Sequence, residues 1–141
     1  MKSIEILTKN RKELVHVLKK NNTDLVAVFS DIYAETGHFI YELLQNAEDQ
    51  KATKVTIKLL KDSLIVEHNG KAFTFEDVDS ITNYAASTKK DDATKIGKFG
   101  IGFKAVFLYT KSPTIFCAKS YCFEINETVI PEKTKKPNDL D

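Results

Sequence analysis

Glu42, Asn46 and Asp49 stand at positions i, i+4 and i+7 of the stretch YELLQNAEDQ, residues 41–50. At about 100° per residue these three fall within roughly 60° of one another on a helix, so they form one narrow polar strip. Phe39, Ile40, Leu43, Leu44 and Ala47 make an apolar face beside it. Gln45 and Glu48 point elsewhere. Asn is a mediocre helix former and is used sparingly on solvated helix faces. Two readings of the strip stay open: a solvent-facing surface, or the polar floor of a site.

The glycines raise a second question. Three of the five, Gly97, Gly100 and Gly102, fall in GKFGIG. Glycine this dense ahead of a helix offers backbone N–H groups to an anion at the helix N-terminus. The alternative is a flexible hinge without a ligand. Spacing excludes two familiar phosphate loops. A P-loop needs Lys and then Ser or Thr after its last glycine, whereas Phe103, Lys104 and Ala105 follow Gly102. A dinucleotide fingerprint needs G-x-G-x-x-G straight after a strand. Here the order is G-x-x-G-x-G after a polar loop.

These residues need elements to hold them. Residues 10–50 read as helical, with Leu14, Val15 and Leu18, then Leu25, Val28 and Phe29, at periodic positions. KKNNTD interrupts them, with Thr23 or Asp24 as N-cap of the second helix, and Gly37 marks a bend before the strip. Val55, Ile57 and Leu59, then Leu64, Val66 and His68, alternate with other residues and predict an antiparallel hairpin turning at KDS. Thr74, with Glu76 and Asp77 behind it, opens a short helix. Residues 87–98 lie in a charged stretch poor in large apolar side chains, expected to be a mobile lid. FKAVFLYT reads as a buried helix, PTIFCA and YCFEI as a last hairpin, and PEKTKKPNDLD as a frayed polar tail.

Bulk properties narrow the function classes. A chain of 141 residues with 42% hydrophobic and 29% charged residues is one ordinary domain. Net charge +1 supplies no field to draw nucleic acid or an acidic membrane. Arg11 is the one arginine, which argues against bidentate reading of phosphate or guanine. No apolar run reaches the roughly 18 residues that span a bilayer, and the first residues lack a signal-peptide core, so cytoplasmic location is the expectation. Cys117 and Cys122 read as reduced structural thiols.

Taken in order, E-x-x-x-N-x-x-D on a helix, a strand ending in HNGKAF, a polar lid and G-x-x-G-x-G resemble the GHKL ATPase superfamily. GKFGIGFKAVF is similar to its heat-shock-chaperone branch, and HNGKAFTFEDVDSI to the sacsin-type N-terminal ATP-binding domain. The resemblance covers residues 25 to 125. It implies an α+β fold: a two-layer α/β sandwich, with helices on one face of a mainly antiparallel sheet. The GHKL-type domain would occupy residues 1–126 with its late strands missing, and 127–141 would be a disordered tail. It implies ATP and Mg²⁺ as cofactors. Glu42 would orient and deprotonate the attacking water, Asn46 would bind magnesium, and Asp49 would stand near the nucleotide. Gly70 and Phe73 would form the turn and wall beside adenine, and Gly97, Gly100 and Gly102 would wrap the phosphates. Lys98, with Lys89, Lys90 and Lys104, is available to neutralise phosphate charge or to sit in solvent.

One departure concerns the base. The family has Asp where this chain has His68, accepting a hydrogen bond from the adenine amino group. A neutral His68 is expected to accept through one ring nitrogen, with weaker discrimination; Glu67 faces the other way. Ala72 also replaces a family glycine. The expected function is ATP binding, with slow hydrolysis driving change in a larger protein or a homodimer. The alternative is a non-catalytic nucleotide-binding or interaction domain. A histidine-kinase reading ranks below both, because His16 in ELVHVLKKN lacks an adjoining acidic residue.

Overall fold

The computed structural model describes residues 3–32, 38–83 and 102–140. Helix α1 (Ile4–Lys20) starts from Ser3, whose hydroxyl accepts the Ile6 N–H at 3.3 Å. The cap sets the start six residues before the periodic pattern does. The helix closes at Asn22, which takes φ of 57° while the Thr23 N–H returns to the Leu18 carbonyl at 2.9 Å. Asn occupies the left-handed position that glycine usually fills. Asp24 then accepts the Val26 N–H at 3.0 Å and starts α2 (Leu25–Ile32), as its side chain suggests. Helix α3 (His38–Asp49) carries the polar strip and ends in the same manner, with Lys51 at φ 61° and the Ala52 N–H on the Ala47 carbonyl.

Strands β1 (Val55–Leu59) and β2 (Leu64–His68) form the expected hairpin, with Val55 opposite His68 and Leu59 opposite Leu64. Helix α4 (Phe75–Thr82) begins with a full capping box: Thr74 Oγ1 accepts the Asp77 N–H while the Asp77 carboxylate accepts the Thr74 N–H. The segment expected as a buried helix is a 3-10 helix, Gly102–Leu108. Strands β3 (Thr114–Cys117) and β4 (Tyr121–Asn126) make the final hairpin. Cys117 stands opposite Tyr121, so Cys122, one residue on, faces the other side of the sheet; both thiols are free.

Two expectations need correction. The tail does not begin at residue 127. Ile130–Lys133 form β5, paired antiparallel to β4, and Val129, Ile130 and Pro131 are buried. The domain therefore runs past residue 126. Among the described residues the antiparallel strands also build two sheets, β1–β2 and β3–β4–β5, and not one. The chain is thus α+β with antiparallel sheets.

Packing explains the order of the layers. Helix α1 lies along β5 and also touches α4. Its Thr8 hydroxyl donates to the Pro131 carbonyl, and Glu5 pairs with Lys133. Between them Ile4 and Leu7 of α1, Val78 and Ile81 of α4, Phe103 and Phe107 of the 3-10 helix, and Phe123 and Ile125 of β4 form the main core. Phe103 meets Phe107 edge to face at 6.3 Å. A second cluster, Val15, Leu25, Val129 and Ile130, joins α1 and α2 to the β4–β5 turn. Arg11 bolts α1 to α4: its Nε donates to the Thr82 carbonyl at 3.0 Å and its Nη2 meets the Asp79 carboxylate at 2.5 Å. The single arginine is thus a clamp inside the fold.

Candidate functional site

The site is built where α3 packs against the 3-10 helix. Phe39 at the start of α3 packs against Tyr109 just past that helix, with ring centroids 4.2 Å apart and the planes tilted by 41°. This contact fixes the entry of α3 and brings Glu42 against Gly102. A Cβ at residue 102 would overlap the Glu42 carboxylate and stand 2.6 Å from its Cδ. The bare backbone of glycine lets the carboxylate lie against it in this position. Glu42 is half-buried.

One turn further, Asn46 is only 5% exposed, and its Oδ1 has no hydrogen-bond partner among the described residues. A buried amide oxygen left without a donor costs about 1–3 kcal/mol. Asp49 lies half-buried another turn along. The helix therefore presents Glu42, Asn46 and Asp49 along one face, with Asn46 as the buried member.

The far end of α3 meets the turn after β2. Asn69 locks this junction: its Oδ1 accepts the N–H groups of Thr53 at 2.9 Å and Lys54 at 3.0 Å, and its Nδ2 donates to Thr53 Oγ1 at 2.8 Å. The sequence reading gives Asn69 no role, although an Asn in a tight turn is a known clamp for nearby backbone. Gly70 fits closely against α3, where a Cβ would stand 2.8 Å from the Gln50 carbonyl oxygen. The Lys71 N–H donates to that same carbonyl at 2.8 Å. The Gly70 N–H donates to His68 Nδ1 at 3.0 Å. Burial pushes the His68 imidazole below its usual pKa. The expectation that His68 accepts from a ligand is altered here, because Nδ1 is already accepting. Phe73 packs half-buried against the main core.

Lys104 departs from both roles expected for it. It is neither at a phosphate position nor solvated but 1% exposed, with Nζ donating to the Ile81 carbonyl at 2.9 Å and the Thr128 carbonyl at 2.7 Å. Burial first, and the Arg11 charge second, lower its pKa to about 7. It ties the 3-10 helix to the end of α4 and to the β4–β5 turn. Gly97, Lys98 and Gly100, with Lys89 and Lys90 and the lid expected over 87–98, lie outside the described residues.

Elsewhere, a cleft of about 100 Å³ lies among Val15, Leu18, Thr23 and Leu25. It is far below the roughly 300–1,000 Å³ of small-molecule sites, and no residue of the strip lines it. Among the described residues no group of three or more His, Cys, Asp or Glu could hold a metal ion, and no helix is long and apolar enough to cross a membrane.

The sequence profile of the Sacsin domain matches residues 56–140. The chain belongs to the sacsin domain family. It is 33% identical over 131 residues to Protein NO VEIN of Arabidopsis thaliana, an alignment covering 83% of this chain and 5% of that protein. It is 39% identical over 114 residues to Sacsin of Homo sapiens, covering 65% of this chain and 2% of that one. The chain thus spans a small fraction of the length of these relatives. No solved structure matches it.

Proposed function

We propose that this chain is a magnesium–nucleotide-binding module of the GHKL type, a two-layer α/β sandwich that takes ATP along the Glu42–Asn46–Asp49 face of α3. The observation that carries the reading is the buried Asn46 Oδ1, which has no donor among the described residues. A hard cation satisfies such an oxygen, and Mg²⁺ typically takes one or two protein ligands while phosphates and waters supply the rest. When bound, the magnesium nucleotide would supply the electrophilic phosphorus and the charge neutralisation.

The chain's own residues would do the following. Asn46 would hold the ion through Oδ1. Glu42, one turn away and half-buried, would orient a water and take its proton. Gly102 would leave room for that carboxylate and, with Gly97 and Gly100, would offer backbone N–H groups to phosphate. Asp49 would face the nucleotide beyond the metal, and the Gly70 turn and Phe73 would border the base. Binding and release would then drive change in a longer protein or a dimer of such chains.

Calorimetry with ADP and magnesium should give saturable binding, and Asn46→Ala should weaken it at least tenfold. A folded protein that binds no nucleotide at millimolar concentration would contradict the reading. Glu42→Gln should hold affinity within a few-fold while lowering hydrolysis about 10²–10⁴-fold, because a general base acts in the transition state. Nucleotide binding without hydrolysis in the wild type would leave a non-catalytic switch.

A further inference from the structure

The turn 68–70 contains one ring N–H that nothing within the described residues engages. Asn69 is committed to Thr53 and Lys54, and the Gly70 N–H points into His68 Nδ1 at 3.0 Å. A ring nitrogen that accepts from an amide must carry its lone pair there. In a neutral imidazole the proton then sits on Nε2. A proton on Nδ1 would face the Gly70 N–H head on, so this geometry disfavours the imidazolium, and burial of the ring acts in the same direction. His68 is exposed to solvent, so Nε2–H is available to a ligand.

Its place along α3 decides which part of a ligand it meets. Gly102 seats on Glu42, whereas Gly70 seats on Gln50. Those helix positions lie about 12 Å apart along the axis. Asn46 lies between them. With phosphates and metal at Glu42 and Asn46, the base falls at the His68 end.

We propose that His68 reads the base as a hydrogen-bond donor through Nε2–H, so that the module prefers a 6-oxopurine nucleotide over an adenine nucleotide. The inference rests on the nucleotide reading above. Adenine presents a 6-amino donor on that edge, where guanine and hypoxanthine present a carbonyl oxygen. Two donors facing each other leave both unpaired, which costs about 1–3 kcal/mol where the bound base shuts out water.

The test compares ADP with IDP, which differ at the 6-position and the adjoining N1 proton, by calorimetry of the full chain with magnesium. Wild-type protein should bind IDP about tenfold more tightly than ADP, and GDP should side with IDP. His68→Asp, whose carboxylate only accepts, should reverse the order, and His68→Ala should abolish it. Nitrogen-15 spectra of the free protein should show Nδ1 unprotonated and Nε2 protonated. ADP bound as tightly as IDP, or tighter, overturns the donor assignment while leaving the site intact. Failure of all three nucleotides to bind overturns the site and the assignment together. Unaltered preference in a folded His68→Ala protein removes His68 from base recognition.

Discussion

Replacing Lys104 by methionine keeps the length of the side chain and removes its charge, so it isolates what burying an amine does to this fold. The folded-state pKa is about 7 against an ordinary 10.5. Between those values the unfolded chain holds a proton that the folded chain has released. Stability from this group therefore rises with pH across that window and is at its least favourable below pH 7. The whole shift corresponds to about 5 kcal/mol, and the portion falling between pH 6 and pH 9 to about 2.5 kcal/mol. The Lys104→Met variant would leave the Ile81 and Thr128 carbonyls without their donor, at about 1–3 kcal/mol each, but that cost does not titrate. Urea unfolding of both proteins at pH 6, 7, 8 and 9 should show wild type gaining about 2.5 kcal/mol on the variant as pH rises. Equal m-values would confirm that the comparison is of native stabilities. A difference flat to within about 0.5 kcal/mol would refute the reasoning, because an amine free to reach water has no reason to titrate early.

Arg11→Met should destabilise the fold by about 2 kcal/mol through loss of the α1–α4 clamp. It should also move the Lys104 window to higher pH, because the neighbouring positive charge that lowers it is gone; an unmoved window in the same urea series would count against that coupling. Gly102→Ala should change apo stability by less than about 1 kcal/mol, since the atoms in its way are the movable end of Glu42. The displaced carboxylate should nevertheless lower any hydrolysis as much as Glu42→Gln does. Thermal unfolding and a phosphate-release assay on one sample separate the two effects, and full activity in the alanine protein would show that the contact is incidental.

What the residues disclose in advance is what local chemistry decides. Thr74 and Asp77 cap each other within one turn, and the alternation from Val55 to His68 sets both strands and their register. Long-range contacts were opaque. β5 hides behind a turn whose left-handed residues are Glu127 and Thr128, at φ 52° and 66°, where Gly or Asn would have been the signal. Pro131 inside it argues against a strand, yet β5 is an edge of its sheet, where proline is tolerated. Lys104 reads as a surface residue because lysine is almost never fully buried; only the meeting of α4, the 3-10 helix and the β4–β5 turn makes two carbonyls available to it. The helix bearing Glu42, Asn46 and Asp49 was legible, and so was their alignment. That Asn46 is the buried member was not, because its burial comes from packing that the local pattern does not contain.

The seating of α1 on β5 sets a timetable for synthesis. Of the described elements, the first to leave the ribosome rests on the last, and about 110 residues separate the end of one from the start of the other. At about 5–20 residues per second, α1 waits on the order of 5–20 s for its partner. Throughout that interval the clusters around Ile4, Leu7 and Val15 stay incomplete, because Phe123, Ile125, Val129 and Ile130 are not yet made. A nascent chain stalled before residue 129 should therefore remain a substrate for chaperones that capture apolar helices. Release of the next few residues should let the chain close on itself in one cooperative step.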